Sequence, residues 1–538
     1  MSDEITEESG LTRRDALRVG AGAAGGVAFA GGLLGRAISA MGAPAVIGAG
    51  PYGPLGAPDA NGLSLPAGFS SRAIARSGTN IGPRPYRFHI LPDGMGSFET
   101  EDGGFILTSN SEAPFIEGFQ DGAYEIGAGA IRFDKDFKIT DAYPILEHTQ
   151  VNCAGGVTPW GTWLSCEEVE NGMVYECDPW GKKEQVAHPA MGVFKHEACC
   201  VDPKGKQVYM SEDLGNGCFY RFTPDDYPDL SSGLLEVASV GEDGKVRWLT
   251  VPDPQVANSV PTRSQVADAT EFRRGEGMWF DEGTVYFATT QDDRIYAYDC
   301  ESTFIEVLYD GVALGAEAPL NDSDNVTVSP MSGDLFVCED PGDLQMCIIS
   351  TEGEAAAFCQ LSMDGHSQSE LTGPVFDPTG SRLYFSSQRA RFPGESAAAG
   401  IIYEISGPFR KPRKGPETVD RKKPKLKVRT LGKPTLHGLL KHGQPFMLEV
   451  RDDSFPLDVE VKLVASLRRA HGRGSRQVTI GRKHLKIGKA GRKQIRMKVN
   501  QGYRKRLRRR QVAQARLVVV AKDAAGNRSR AVKPVSFR

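Results

Sequence analysis

The sequence predicts an all-β protein, a six-bladed β-propeller followed by a small β-sandwich, and three observations carry that expectation. A strand–turn–strand phrase recurs six times between His89 and Arg389. Its copies end mostly 45 to 56 residues apart, the length of a four-stranded propeller blade. The charge then reverses: of 64 Lys+Arg and 68 Asp+Glu, residues 411–538 hold 37 and 8, so a second unit begins near residue 410.

Residues 1–45 come first. Thr12-Arg13-Arg14-Asp15-Ala16-Leu17-Arg18 resembles a twin-arginine export signal, and an apolar run from Val19 to Leu34 follows it. Seven glycines between Val19 and Gly35 leave that run only weakly hydrophobic, which favours a signal over a membrane anchor. Cleavage sites of small residues follow, after Ala40 or Ala45. The expected destination is extracellular or the cell envelope.

The propeller is expected over residues 60–408. Four copies of the phrase are clear: Ala198–Asp213, Met278–Asp293, Val326–Asp340 and Pro374–Arg389. Gly155–Glu168 and His89–Glu112 are looser copies. Each sets two aromatic and β-branched runs around a Pro, Asp or Gly turn, the pattern of a hairpin. Stacking such units radially buries each sheet's apolar face on its neighbour without helices. One gap, between Asp213 and Asp293, is longer; its polar stretch Tyr227–Ala269 is read as a cap on one channel mouth or an extra hairpin. All ten cysteines fall between Cys153 and Cys359 with no C-x-x-C pair, so zinc-ribbon and thioredoxin readings have no support. Cys199, Cys200, Cys338 and Cys359 sit in apolar runs and read as buried thiols.

Residues 410–430 read as a basic linker and 431–538 as a basic β-sandwich. Alternation appears in Phe446–Val450, Val459–Leu463, Ile495–Val499 and Leu517–Val520. With the Asp523–Asn527 turn before a last strand, the unit resembles immunoglobulin- or fibronectin-like sandwiches. Arg504–Arg510 is nearly all basic, but the unit lacks interleaved aromatics, so nucleic acid is not expected as a partner. Attachment to anionic cell-wall polymers and a merely solvated basic face are the two readings left open.

The chemistry lies at the repeat starts. Asn152-Cys153, His196-Glu197, Arg274-Gly275-Glu276, Asp324-Asn325 and Glu370-Leu371-Thr372 each precede a first apolar strand. In a propeller that strand lines the central channel, so these residues would converge on one mouth. Carboxylates crowded there repel by several kcal/mol unless cations neutralise them. A ring of oxygen ligands suits Ca²⁺, and one thiolate brings in a transition metal. His196 reads equally well as a structural histidine, whereas Cys153 is placed in a polar turn.

At these residues a family resemblance becomes specific. Asn152–Glu168 (NCAGGVTPWGTWLSCEE), Lys195–Ala198, Arg274–Gly277, Asp324–Ser329 and Glu370–Pro374 resemble the PhoX family of bacterial alkaline phosphatases, over about residues 70–408. The resemblance implies a six-bladed propeller and a calcium- and iron-dependent phosphomonoesterase acting on small phosphate esters. It implies Cys153 as a thiolate ligand of Fe³⁺ and Glu197 and Glu276 as carboxylate ligands of the same cluster. It implies Glu168 as a further metal ligand, with Glu167 as the alternative register. Arg274 matches the phosphate-binding arginine. Asp324, Asn325 and Glu339 are candidate Ca²⁺ ligands. The segments between early repeats are shorter than in the family, which leaves the substrate range open. A monomer is expected. Two other classes remain: a calcium-dependent lactonase, suggested by Glu276-Gly277-x-Trp279 and Thr284–Thr289, and a non-catalytic binding propeller.

Overall fold

The computed structural model describes residues 44–114, 126–391, 400–411, 424–451, 457–468, 475–510, 514–522 and 528–537. The export signal, most of the expected linker and the Asp523–Asn527 turn lie outside those residues. The chain divides into two compact units, residues 1–413 and 414–538. No helix among the described residues is long and apolar enough to cross a membrane.

Six blade sheets and a two-stranded ribbon, Asn80–Ile81 with Tyr86–Arg87, make up the described first unit, and the blades' innermost strands follow one another around a ring: Pro92–Glu99, Asn152–Val157, His196–Asp202, Gly275–Asp281, Ser323–Val328 and Leu371–Phe376. Each packs on the next, and the sixth returns to the first. Every copy of the sequence phrase is therefore the inner hairpin of one blade. The ring is closed by the chain's own beginning, because Ser70–Arg76 pairs with Ile401–Ser406 as the outer strand of blade 6. Such closure removes a free sheet edge. Two further early strands, Val46–Ile47 and Leu63–Ser64, pair with the outer strand Glu354–Leu361 of blade 5.

Strand alternation explains the core. Successive side chains face opposite sides of a sheet, so each blade offers one apolar row to each neighbour. In blade 4, Tyr286 and Ala288 pack toward Val326 and Val337 of blade 5. Val285 and Phe287 point the other way, onto Tyr209 and Phe219 of blade 3. Phe105, Phe133 and Tyr384 seal blade 1 to blade 6. The cysteines serve this packing: all ten are free thiols and nine are buried.

The long gap resolves as more sheet. Asp229–Val240 and Val246–Thr250 are the outer strands of a five-stranded blade 3. The rest of the segment runs back over the hairpin ends, where Arg263 reaches the buried Glu212 at 3.0 Å.

The second unit has two antiparallel sheets, one of three strands (Lys425–Thr430, Gln444–Arg451, Gly491–Met497) and one of four (Ser475–Ile487, Leu457–Arg468, Gln514–Lys522, Arg528–Ser536). One apolar core spans both, including Phe446, Leu448, Val461, Ile495, Leu517 and Val519. The stretch read as linker is corrected at its end: Lys425–Thr430 is a strand, because Leu426 and Val428 alternate with cations and pack against this core.

Candidate metal centre

All six inner strands carry the same irregularity within their first residues. The register shifts after Pro92, Asn152, His196, Gly275, Ser323 and Thr372. A β-bulge turns a side chain out of the ladder toward a site. Here it aims Asp93, Cys153, Glu197, Glu276 and Asp324 from five blades into the channel, all buried. Close approach makes this possible. A Cβ on Gly94 would meet the Ala154 backbone at 2.5 Å, and one on Gly277 would meet Asn325 at 2.4 Å. The chain enters several of these strands through left-handed residues, Leu91, Val151, Arg274 and Asp322. Such a conformation costs on the order of 1–3 kcal/mol outside glycine and is found where a site is held by its surroundings. Arg274 is held at both ends, its N–H on Leu214 and its carbonyl accepting from Thr290.

The hairpins' second strands add a second tier. Glu112, Glu168, Asp213 and Asp340 each follow the strand end directly. Together the tiers bring three groups of candidate ligand atoms within 4.8 Å of one another: Glu112 with Cys153 and Glu168, Asp93 with Glu112 and Glu370, and Glu197 with Glu276 and Asp324.

Three cations sit around this mouth. Lys195 bridges Glu168 at 2.7 Å and Asp213 at 3.1 Å. Arg274 contacts Asp213 at 2.9 Å, Glu276 at 3.0 Å and Asp340 at 3.5 Å. Arg389 joins Glu370 at 2.5 Å and Glu112 at 3.1 Å. Three positive charges cannot balance so many carboxylates. Like charges about 4 Å apart repel by roughly 4 kcal/mol at an effective dielectric constant of about 20. Accordingly, burial and neighbouring carboxylates push Glu197, Glu276 and Asp324 well above the ordinary carboxylate range. Burial and Glu112 push Asp93 up to about 7. Burial, then Asp93 and Glu197, raises the Cys153 thiol.

The residues fit metal cations on one decisive observation. Both carboxylate oxygens of Glu197 are fully buried and accept no hydrogen bond. A buried polar atom without a partner costs about 1–3 kcal/mol, more for a charged group, so such orphans mark a missing ligand. A thiol and carboxylates surrounding them are a donor set for cations and not for an anion.

The sequence-derived residues are placed as follows. Cys153, Glu168, Glu197, Glu276 and Asp324 converge, and Arg274 stands over them, 37% exposed. Of the two register choices, Glu168 faces the channel; Glu167 accepts the N–H groups of Gln150 and Met173 beneath it. Glu339 is corrected by its equivalent position. Its oxygens accept the N–H groups of Asn321 and Gln345, so it caps a loop and joins none of the three groups. Asn325 follows Asp324 on the same strand. Its amide donates to Asp324 and its oxygen accepts from Thr372 and Gly373, which makes it an orienting residue. His196 donates its Nε2–H to the Gly192 carbonyl and stacks on Phe194, a structural role. Cys153 lies on a buried strand instead of a polar turn, because the bulge interrupts the apolar pattern there. Asp93 escapes the sequence reading, Glu112 and Asp213 figure in it only as repeat ends, and Glu370 enters it as a ligand-type residue at a repeat start without an assigned role. Aligning Pro92-Asp93-Gly94 with Asn152-Cys153-Ala154 is the signal that finds Asp93.

Behind the NCAGG strand lies a buried polar network. Asn110 donates to the carbonyls of Cys153 and Ala154 at 3.0 and 2.9 Å and accepts from Trp163 Nε1 and Ser165 Oγ. Asn152 donates to Ser165 in turn. This network fixes the backbone that presents Cys153, and it accounts for the Trp and Ser of the long motif.

Residues 129–175 and 170–303 match the family model described as alkaline phosphatase PhoX. The matched span contains Cys153, Glu168, Glu197, Arg274 and Glu276. No curated protein matches the chain. Among solved structures, a gluconolactonase from Xanthomonas campestris is 13% identical over 66% of this chain and 99% of its own, with a TM-score of 0.38. The calcium-binding protein regucalcin from Agrobacterium tumefaciens is 14% identical over 64% and 97%, with a TM-score of 0.34. By that match over residues 129–303, and with the motif residues gathered at one mouth, the propeller is similar to the alkaline phosphatase PhoX family.

Proposed function

We propose that the protein is an exported phosphatase that hydrolyses small phosphate monoesters at a calcium- and iron-containing centre in the channel mouth. The observation that carries the reading is the fully buried, unpartnered carboxylate of Glu197 inside a ring of carboxylates and one thiol. Cys153, with Glu112 and Glu168, offers the soft donor that suits iron. The all-oxygen groups, Glu197–Glu276–Asp324 and Asp93–Glu112–Glu370, suit Ca²⁺. Bound there, the cations would reverse the sign of the channel and polarise the phosphoryl oxygens.

The protein's own groups do the rest. Arg274 presents a planar fork at the mouth, matched to two phosphoryl oxygens. Lys195 and Arg389 flank it from blades 3 and 6 and keep a dianionic ester over the opening. Their present carboxylate partners hold all three in place without substrate. The buried wall beneath lowers the local dielectric and strengthens each of these contacts. A calcium-only lactonase leaves the Cys153 thiol in a carboxylate ring without a task.

The test is metal analysis of the purified protein beside its turnover of p-nitrophenyl phosphate. Iron with calcium and phosphatase activity support the reading. Calcium alone with lactone hydrolysis, or neither metal, contradicts it.

A further inference from the structure

Independently of the phosphatase site, we propose that the three-stranded sheet of the C-terminal unit is a docking face for a base-free phosphodiester polymer, a polyol phosphate chain. Register fixes which side chains share that face. Lys425 lies opposite Arg451, Lys427 opposite Glu449, and Arg429 opposite Met447. Across the other edge, Glu449 lies opposite Arg492 and Pro445 opposite Arg496. Directly paired residues point the same way. The opposite face, with Phe446, Leu448, Val450 and Ile495, is in the core. The outer face therefore carries Lys425, Lys427, Arg429, Arg451, Arg492 and Arg496, all exposed, against the single carboxylate of Glu449. Glu449 is held by Arg451 and Arg492, each at 3.3 Å.

The four-stranded sheet is different, although the whole unit is basic. Glu460 engages Lys462 at 2.6 Å, Arg482 at 3.2 Å and His484 at 3.6 Å, and Asp458 lies opposite Lys486. There two carboxylates engage the cations beside them, and Arg516, Lys522 and Arg530 share the same face. The three-stranded face differs in setting six cations against one carboxylate, three of them in line on a single strand.

Spacing selects a linear polyanion. Lys425, Lys427 and Arg429 alternate along one strand, six covalent bonds from one Cα to the next in line, roughly 7 Å. A three-carbon polyol phosphate repeats its phosphates after the same six bonds, so one chain can meet successive cations. No aromatic side chain stands on this face, and single-stranded nucleic acids are held by stacking on aromatics as well as by charge. A polymer without bases is the partner this surface fits.

The experiment compares the full-length protein with two variants on fluorescent poly(glycerol phosphate) at about 50 and about 200 mM salt. The first variant is Lys425→Gln, Lys427→Gln, Arg429→Gln and Arg496→Gln. The second, on the other sheet, is Lys462→Gln, Arg482→Gln and Lys486→Gln. Wild type should bind and weaken steeply with salt. The first variant should lose affinity at least tenfold with unchanged p-nitrophenyl phosphate turnover and melting temperature, and the second less than threefold. Equal losses in both variants would overturn the proposal, as would absence of wild-type binding. Tighter binding to single-stranded DNA or to phosphatidylglycerol vesicles at the same salt would also overturn it.

Discussion

Arg274 donates its Nε–H to Asp213 at 2.9 Å, and the two residues come from consecutive blades. The same carboxylate accepts from Lys195 at 3.1 Å. Burial opposes ionisation of Asp213, but a hydrogen bond with Glu168 and the charges of Arg274 and Lys195 outweigh it and hold the carboxyl at about 2. Asp213 is thus a fixed anion that positions two cations of the channel mouth across a blade boundary.

Asp213→Asn should release both cations from their common anchor. The expected result is a rise of about tenfold in the inhibition constant for inorganic phosphate, about 1.4 kcal/mol, with iron and calcium content unchanged. Steady-state inhibition and elemental analysis of the same preparation read the two together. Loss of metal in the variant would make Asp213 a ligand and not a positioning residue.

Asn110→Ala should be costly for stability. It leaves the indole N–H of Trp163 and two strand carbonyls without partners in a buried site. With about 1–3 kcal/mol for each unsatisfied group, partly offset by relaxation, a loss of about 2–4 kcal/mol is expected. The midpoint of urea denaturation measures it, and an unchanged midpoint would show that the network bears no load.

Acid sensitivity should have a source far from the channel. Burial works against ionisation of Glu176, but hydrogen bonds with His188, Thr162 and Trp160, at 2.9, 2.7 and 2.7 Å, prevail and hold it at about 2. Its folded value lies below the ordinary 4.5, so its stabilisation is complete above pH 4.5 and lost as pH falls toward 2. Glu176→Gln should destabilise the protein by about 1–3 kcal/mol at neutral pH. The difference from wild type should shrink through that window, as followed by thermal melts.

Gly94→Ala tests the packing of the ring itself. Its Cβ would meet Ala154 Cα at 2.5 Å, backbone against backbone, in the layer that carries Asp93 and Cys153. The expected outcome is a lower melting temperature with weakened metal retention, whereas Gly103→Ala, at an open turn, should spare the metals.

Much of this arrangement is legible in the sequence, because a propeller converts sequence repetition into rotational position. Once Cys153, Glu197, Glu276 and Asp324 occupy matching places in their repeats, a single axis must gather them. Asp93 is not legible in the same way: its repeat is loose, and the carboxylate sits between proline and glycine where a turn would be expected. Glu339 misleads for the converse reason. One residue separates a carboxylate that caps a loop from one that faces the channel, and only the hydrogen bonds of Glu167, Glu212 and Glu339 to loop amides reveal which is which. The charge reversal near residue 410 locates a boundary, but composition hides that Lys425, Lys427 and Arg429 line up on one sheet face.

The iron content of Cys153→Ser tests the central claim most directly. The substitution keeps the side chain's size and replaces a soft donor with a hydroxyl that stays neutral at working pH. Beside wild type, the purified variant should lose its iron and visible absorption, keep most of its calcium, and turn over p-nitrophenyl phosphate slower by orders of magnitude. A variant with full iron and full turnover would contradict the account, leaving Cys153 as one more buried thiol of the propeller.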